Sequence, residues 1–319
     1  MQRAREAGLK SIVISAVWKQ GSTAAGDLPP IRRAVAAAKA ENIEPQLAVY
    51  QLSSATPLGE AGRDAFSRYA AALVRAVPAV RTVFVGNEPN LNLFWMPQFD
   101  DGGGDAAATA YEQLLATTYD ALKNADPELT VVGANLAPRG GDDPAASRQT
   151  HSPTAFIQDL GKAYRASGRT KPLMDKFSIH VYGETPKIGP SFRHPQTTSI
   201  GIADYRKLVS LLGRAFDGTA QKGSKLPIIY GEYGVETTVP GGDYIGKEIV
   251  PAVDPETQAR FYRNAIELAA CQKNVEALDF FHVIDEKKLA GLQSGLYYVG
   301  GAAKPSAEAV KRTAVTCGS

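Results

Sequence analysis

The sequence predicts an α/β protein, a (β/α)8 barrel whose first strand is absent from the chain. Three observations predict this fold. Short apolar segments alternate with helical segments along the whole chain, which is typical of βαβ units and a parallel sheet. No GxGxxG motif follows the first strand, which argues against an open dinucleotide-binding sheet. No linker or low-complexity tract divides the sequence, so we expect residues 1–319 to form a single domain.

Seven segments have the character of buried parallel strands. Each is short and mostly apolar through its centre, as strands covered on both faces are. They are residues 11–18, 45–50, 82–86, 129–135, 176–182, 226–234 and 276–284.

A helical segment follows each predicted strand. Several of these helices begin with proline or end near glycine or proline, which are common helix boundaries. They are residues 28–43, 62–77, 107–127, 152–168, 203–216, 254–273 and 304–315. Right-handed strand–helix–strand connections of this kind close into a barrel when eight are present.

The strand count is one short of a closed barrel. The chain opens in a helical segment, residues 1–8, so we expect the missing strand upstream of Met1. Its absence should leave the edges of the strands at 11–18 and 276–284 unpaired. Because unpaired edges attract other strands, association of two chains across this gap is an expected consequence.

Composition excludes several classes of partner. The chain has 44% hydrophobic and 21% charged residues, and its formal net charge is +2. No basic cluster indicates a nucleic-acid interface, and no apolar run approaches the roughly 20 residues that cross a bilayer. The N-terminal segment lacks the order of a signal peptide, namely a basic head, an apolar core and a cleavage site.

The two cysteines, Cys271 and Cys317, favour a disulfide over a metal site. Neither lies in a CxxC motif or near a histidine cluster. Cys271 ends one predicted helix and Cys317 follows the next, so a Cys271–Cys317 bond is predicted, and with it an extracytoplasmic location. The acidic glycine-rich loop at residues 100–105 lacks EF-hand spacing, and we expect neither a metal nor a cofactor.

Two glutamates lie at the C-terminal ends of predicted strands, where β/α barrels carry their chemistry. Glu88 follows the strand at 82–86, and Glu232 lies in the strand at 226–234. If every strand is counted they are three strands apart and can face each other across the barrel mouth. Such a pair suits hydrolysis of a glycosidic bond, which needs one protonated and one ionised carboxyl.

The motifs at these strand ends resemble those of the retaining glycoside hydrolases of clan A. "NEPN" at residues 87–90, "HVY" at 180–182 and "GEYG" at 231–234 carry the resemblance, and "NEPNLNLFW" is similar to the β-xylosidase family thirty-nine. The cellulase-like family five is the other family that the chain resembles.

The resemblance implies specific roles at the strand ends. Glu88 would be the general acid/base and Glu232 the nucleophile. Asn87 would hydrogen-bond the 2-hydroxyl of the sugar, while His180 and Tyr182 would orient the sugar and the nucleophile.

Further aromatic and polar residues near the strand ends are candidates for sugar binding. Phe281 or His282 would replace the tryptophan platform of the cellulase-like enzymes, which also carry a strand-two arginine that "IVISAVW" lacks. Three other aromatic rings could contact sugar or pack at the rim: Trp18, Trp95 and Tyr233.

Two functions follow from these residues. The first is a retaining glycosidase that cleaves β-linked oligosaccharides or polysaccharides without a cofactor. The second is a non-catalytic carbohydrate-binding protein on a degenerate glycosidase barrel. Turnover of glycosides that depends on Glu232 distinguishes the first from the second.

Overall fold

The structure is a computed structural model that describes residues 1–317, and within them seven parallel strands alternate with helices. The strands are β1 (Ser11–Val17), β2 (Glu44–Tyr50), β3 (Thr82–Val85), β4 (Thr130–Leu136), β5 (Lys176–His180), β6 (Ile228–Tyr233) and β7 (Val275–Phe280). Each predicted strand is present, with its ends shifted by a few residues.

The helices also occupy the predicted segments. They are α1 (Gln2–Glu6), α2 (Leu28–Ala40), α3 (Glu60–Ala76), α4 (Ala106–Ala125), α5 (Pro153–Ala166), α6 (Tyr205–Phe216), α7 (Pro255–Ala270) and α8 (Pro305–Arg312). Ser152 and Asp254 cap the starts of α5 and α7, where their side chains accept the backbone N–H groups of Ala155 and Thr257.

The strands form one curled sheet in the order β1 to β7, and every neighbouring pair is parallel. The result is an incomplete (β/α)8 barrel, as predicted. Among the described residues, β1 and β7 are the two edges of the sheet. Association of two chains across the opening between them stays a prediction.

Apolar side chains fill both faces of the sheet. The larger cluster lies between the strands and the helices, and it buries aromatic residues such as Phe66 and Tyr111. A smaller cluster contains strand residues alone, centred on Phe84, Val132 and Ile229. Since side chains alternate between the faces of a strand, this smaller cluster fills the inside of the curled sheet. The strand ends above it form the floor of a cleft.

The N-terminal helix packs beside the opening of the sheet. Ala4 of α1 lies in a small apolar cluster against which Val283, three residues beyond β7, also packs. The guanidinium of Arg3 lies 5.2 Å from the centre of the Tyr297 ring. These contacts join α1 to the segment that follows the last strand.

The predicted disulfide between Cys271 and Cys317 is present, with 5.3 Å between the two Cα atoms. It ties the end of α7 to the segment that follows α8. In the described part of the chain, none of the helices has the length and apolar character needed to span a membrane.

Candidate active site

Glu88 is held by an unusual turn at the end of β3. Gly86 has φ +80°, and a Cβ atom there would lie 2.9 Å from the ring of Tyr111, so glycine is required. Glu88 itself has φ +40°, which is uncommon for a residue with a side chain. Its backbone N–H donates to the carbonyl of Asn135 at 2.9 Å. The turn therefore fixes the direction of the Glu88 carboxyl.

The end of β4 supports this turn. Ala134 and Asn135 have φ +75° and +48°. The Asn135 amide donates to the carbonyl of Gly86 at 2.9 Å. Strained residues of this kind persist where surrounding contacts hold them, and they cluster at functional sites.

Shifts in strand register bring the other glutamate to the same place. The pairing of β5 with β6 shifts between Ile179 and His180, so that His180 lies opposite Glu232. The hydroxyl of Tyr182 donates to Glu232 Oε2 at 2.8 Å. His180 and Tyr182, two residues apart, thus point to the same side of the sheet, as expected from their spacing.

One histidine nitrogen lies between the two carboxyls. His180 Nδ1 is 2.8 Å from Glu88 Oε1 and 3.4 Å from Glu232 Oε2. The His180 side chain is 4% exposed, whereas those of Glu88 and Glu232 are 15% and 24% exposed. The two carboxyls are therefore open to the cleft, and the histidine lies beneath them.

The electrostatics of the three residues are mutually dependent. Burial raises the pKa of Glu232, and the charge of Glu88 raises it further, while His180 and the Tyr182 hydrogen bond lower it. Burial alone would lower the pKa of His180, but Glu232, Glu88 and Asp279 together outweigh it and raise that pKa. Protons therefore bind to the group as a unit, and the net effect of these interactions is to raise the pKa of Glu232.

Tyr182 remains a hydrogen-bond donor at all ordinary pH values. Burial, together with the charge of Glu232, raises the pKa of Tyr182 well above its usual value. Its proton therefore stays on the phenol and points at Glu232 Oε2.

Asp279 of β7 is a third acidic residue of the site that the sequence analysis did not select. Burial raises the pKa of Asp279 to about 7, and the charge of Glu232 adds to this while His180 opposes it. Its Oδ2 atom is buried and has no hydrogen-bond partner in the part of the chain that the structure describes. Asp279 and Phe281 are two residues apart, and side chains at this spacing lie on the same face of a strand. This alternation was the signal in the sequence that could have placed Asp279 in the cleft with Phe281.

Asn87, Phe281 and His282 also lie around the cleft. Asn87 is half-buried, and its side chain forms no hydrogen bond with residues 1–317. The ring of Phe281 is 6.4 Å from that of Tyr182 in an edge-on arrangement, and 3.6 Å from that of His282. Burial lowers the pKa of His282, so this imidazole is neutral near pH 7.

Three aromatic candidates are placed in the core instead. Trp18 is 2% exposed and packs edge-on against Phe66 of α3, while Trp95 is 1% exposed and packs against Tyr111 of α4. Tyr233 is 1% exposed. Rings with so little free surface fill space between the sheet and its helices, and in this structure they offer no face to a sugar.

Comparisons with known proteins identify the fold. No protein-family model matches the sequence, and no curated protein matches it either. Many solved structures do match it in three dimensions.

A family 39 glycoside hydrolase from the gut symbiont Bacteroides cellulosilyticus WH2 has a TM-score of 0.68 and 18% identity, covering 98% of this chain and 59% of its own. A family 39 β-xylosidase from Caulobacter crescentus has a TM-score of 0.54 and 20% identity, covering 89% of this chain and 57% of its own. A GH5-4 broad-specificity endoglucanase from Clostridium longisporum has a TM-score of 0.59 and 13% identity, covering 98% of this chain and 84% of its own.

The chain therefore has the fold of the clan A glycoside hydrolases. It spans less than two thirds of the length of the family 39 structures that it matches. At these levels of identity the likeness establishes the fold, and the activity has to be argued from the site.

Proposed function

We propose that the chain is a retaining glycoside hydrolase that cleaves β-glycosidic bonds in an oligosaccharide or polysaccharide, without a cofactor. The observation that carries this proposal is the meeting of Glu88 and Glu232 on one nitrogen of His180. The meeting point lies at the C-terminal ends of parallel strands, where β/α barrels bind their substrates. The likeness to glycoside hydrolases of known structure supports the same activity.

In the proposed reaction the two glutamates have separate roles. The Glu232 carboxylate attacks the anomeric carbon and forms an ester bond, while the glycosidic bond breaks and Glu88 gives its proton to the leaving oxygen. A water molecule then attacks the same carbon, the Glu88 carboxylate takes up the water's proton, and the ester bond breaks to release Glu232. Tyr182 and protonated His180 favour the anionic form of Glu232 that the first step needs. Asn87 would contact the 2-hydroxyl.

The separation of the carboxyls supports retention of configuration. Their nearest oxygens can be no farther apart than the sum of the two distances to His180 Nδ1, which are 2.8 and 3.4 Å. Nearest oxygens within this limit are compatible with the roughly 5 to 5.5 Å between the carboxyl groups of retaining enzymes.

An extracytoplasmic location is part of the proposal. The Cys271–Cys317 bond supports it, because disulfides persist in oxidising compartments. Large glycans are also found outside the cytoplasm, where such an enzyme would meet them.

A panel of aryl β-glycosides and polysaccharides tests the activity. We expect turnover that Glu232→Ala reduces by at least about 10³-fold, because the nucleophile is removed. Glu248→Ala is the matched control. Glu248 is an exposed glutamate in the segment between β6 and α7, whereas Glu232 is a partly buried residue of β6. This control should retain the rate of the unmodified protein.

Removal of Glu88 should have a different effect in the same assay. Glu88→Ala should spare substrates with good leaving groups, which need little acid assistance, and added azide should restore its rate. Equal loss with good and poor leaving groups would show that the role of Glu88 is assigned wrongly. Binding of glycans without any hydrolysis would instead support the non-catalytic carbohydrate-binding protein.

A further inference from the structure

Arg139 lies at the rim of the candidate active site and was not selected from the sequence. It follows the end of β4 by three residues and is half-buried. Its Nη1 atom donates to the carbonyl of Tyr182 at 3.1 Å and to that of Gly183 at 3.0 Å. Both N–H groups of Nη1 are therefore used to hold the guanidinium against the segment that follows His180.

The other edge of this guanidinium is unused by the protein. Nε and Nη2 carry three further N–H groups, and they form no hydrogen bond or ion pair with any of residues 1–317. This edge is the one that binds a carboxylate through two parallel hydrogen bonds. Charged groups that are partly removed from water are normally paired, so the free edge of this half-buried arginine is available to an anion from outside the protein.

The position of Arg139 assigns the anion to one side of the bond that is cut. Arg139 lies on the same side of the site as Glu88, because the Glu88 N–H donates to the carbonyl of Asn135, four residues before Arg139, at 2.9 Å. The charges of Glu184 and Glu88 also oppose the lowering of the Arg139 pKa by burial. Glu88 is the group that contacts the leaving oxygen in the proposed reaction. Arg139 follows the end of β4. The nucleophile Glu232 is on β6, which lies on the other side of β5. Because Arg139 lies on the side of Glu88, which protonates the leaving oxygen, we expect its guanidinium to face the leaving group and not the sugar that Glu232 attacks.

We propose that Arg139 binds the carboxylate of an acidic sugar on the leaving-group side of the scissile bond, an inference that rests on the proposed function. The substrate is then a glycan that contains uronic acid. Its carboxylate would occupy the Nε and Nη2 edge, while Nη1 keeps its two backbone contacts.

A matched pair of substrates tests this inference. The 4-carboxyphenyl and 4-carbamoylphenyl β-glycosides, prepared from both glucose and xylose, differ in the charge of the leaving group while their size is nearly the same. We expect kcat/KM to favour the charged substrate by about 10- to 100-fold, the range of a charge-assisted hydrogen bond. Arg139→Ala should bring this ratio close to one, and Arg139→Lys should keep only part of it, because lysine lacks the planar fork.

Arg148→Ala is the control for loss of one positive charge. Arg148 is exposed and lies between β4 and α5, as Arg139 does, so its removal should leave the ratio unchanged. An equal loss of rate on both substrates in Arg139→Ala would overturn the inference, because it would mean that Arg139 only supports the backbone of Tyr182 and Gly183. Equal kcat/KM values for the two substrates in the unmodified protein would also overturn it, while leaving the proposed glycosidase intact.

Binding measurements separate this inference from the proposed function. If neither substrate is hydrolysed, the proposed function fails, and calorimetry with the same two glycosides then decides the inference. Tighter binding of the carboxylated glycoside that is lost in Arg139→Ala would support it. Equal binding of both glycosides, or a preference that survives in Arg139→Ala, would overturn it.

Discussion

At the scale of single residues, His180 determines how the two glutamates share charge. A nearly buried imidazole within 3.4 Å of both carboxyls can compensate one negative charge directly. Burial pushes the pKa of Glu232 upward, and only His180 and Tyr182 act in the opposite direction. The anionic form of Glu232 therefore depends on His180 at the end of β5 and on Tyr182 two residues beyond it.

Tyr182→Phe tests this dependence through the pH profile. The Tyr182 hydrogen bond lowers the pKa of Glu232, so its removal should raise that pKa further. The acid limb of kcat/KM should then move to higher pH by about one unit, the equivalent of one hydrogen bond to a charged group. The measurement is the kcat/KM profile of an aryl β-glycoside between acid and neutral pH.

Tyr50→Phe is a suitable comparison for this profile. The Tyr50 hydroxyl contacts Ser15 and not Glu232. The acid limb of the Tyr50→Phe profile should coincide with that of the unmodified protein. If the acid limb of Tyr182→Phe also stays in place, Glu232 does not control that limb.

At the scale of secondary structure, Tyr111 of α4 joins the ends of β3 and β4. Its hydroxyl donates to the carbonyl of Val85 at 2.7 Å and accepts the backbone N–H of Ala134 at 2.8 Å. Its ring also leaves room only for glycine at position 86. The turn that aims Glu88 thus depends on a helix residue beneath it.

Tyr111→Phe should destabilise the fold and reduce activity together. It leaves the buried N–H of Ala134 unpaired and removes the shorter of two hydrogen bonds to the Val85 carbonyl, which costs about 1 to 3 kcal/mol in the free energy of unfolding. Urea denaturation measures this loss, and kcat on an aryl β-glycoside measures the displacement of Glu88.

The comparison variant for Tyr111→Phe is Tyr164→Phe. Tyr164 is equally buried, but its hydroxyl makes a single hydrogen bond to the carbonyl of Lys171. Tyr164→Phe should lose less stability and retain its activity. Equal effects of the two variants would contradict the role given to Tyr111.

At the scale of the whole molecule, the two ends of the chain are held by long-range contacts. The helix α1 packs against the segment beyond β7 through Arg3 and Val283. The Cys271–Cys317 bond attaches the segment after α8 to the end of α7, across 46 residues of sequence. A bond that closes a loop of this length restricts the unfolded chain and so stabilises the folded one.

Reduction of the disulfide should lower the temperature of thermal unfolding. The expected loss is about 2 to 4 kcal/mol, the usual contribution of a disulfide. Thermal scans with and without reductant measure it, and mass spectrometry of alkylated peptides reports whether the bond is present. The double variant Cys271→Ser with Cys317→Ser should unfold at the lower temperature under both conditions. A scan that reductant does not change in the unmodified protein would contradict the stabilising role.

Much of the site was visible in the sequence because strand ends can be located from local patterns. The apolar run before Gly86 and the one containing Glu232 predict where each glutamate emerges, and "HVY" predicts two side chains on one face. The aromatic residues were harder to place. The local sequence around Trp18 and Trp95 fits a position at the rim of the cleft as well as one in the core. Their burial depends on packing against Phe66 of α3 and Tyr111 of α4.

The alternation of strands and helices, the missing strand of the barrel and the two acidic strand ends were readable from the amino acids alone, since each rests on neighbours within a few residues. The tertiary structure decided how these parts meet. His180 and Glu88 are 92 residues apart in the chain, and they meet because β3, β4 and β5 lie side by side in the sheet and Glu88 has a positive φ. Asp279 and Arg139 join the cleft for the same reason: burial and charge are set by what distant segments bring close, and no local pattern encodes that.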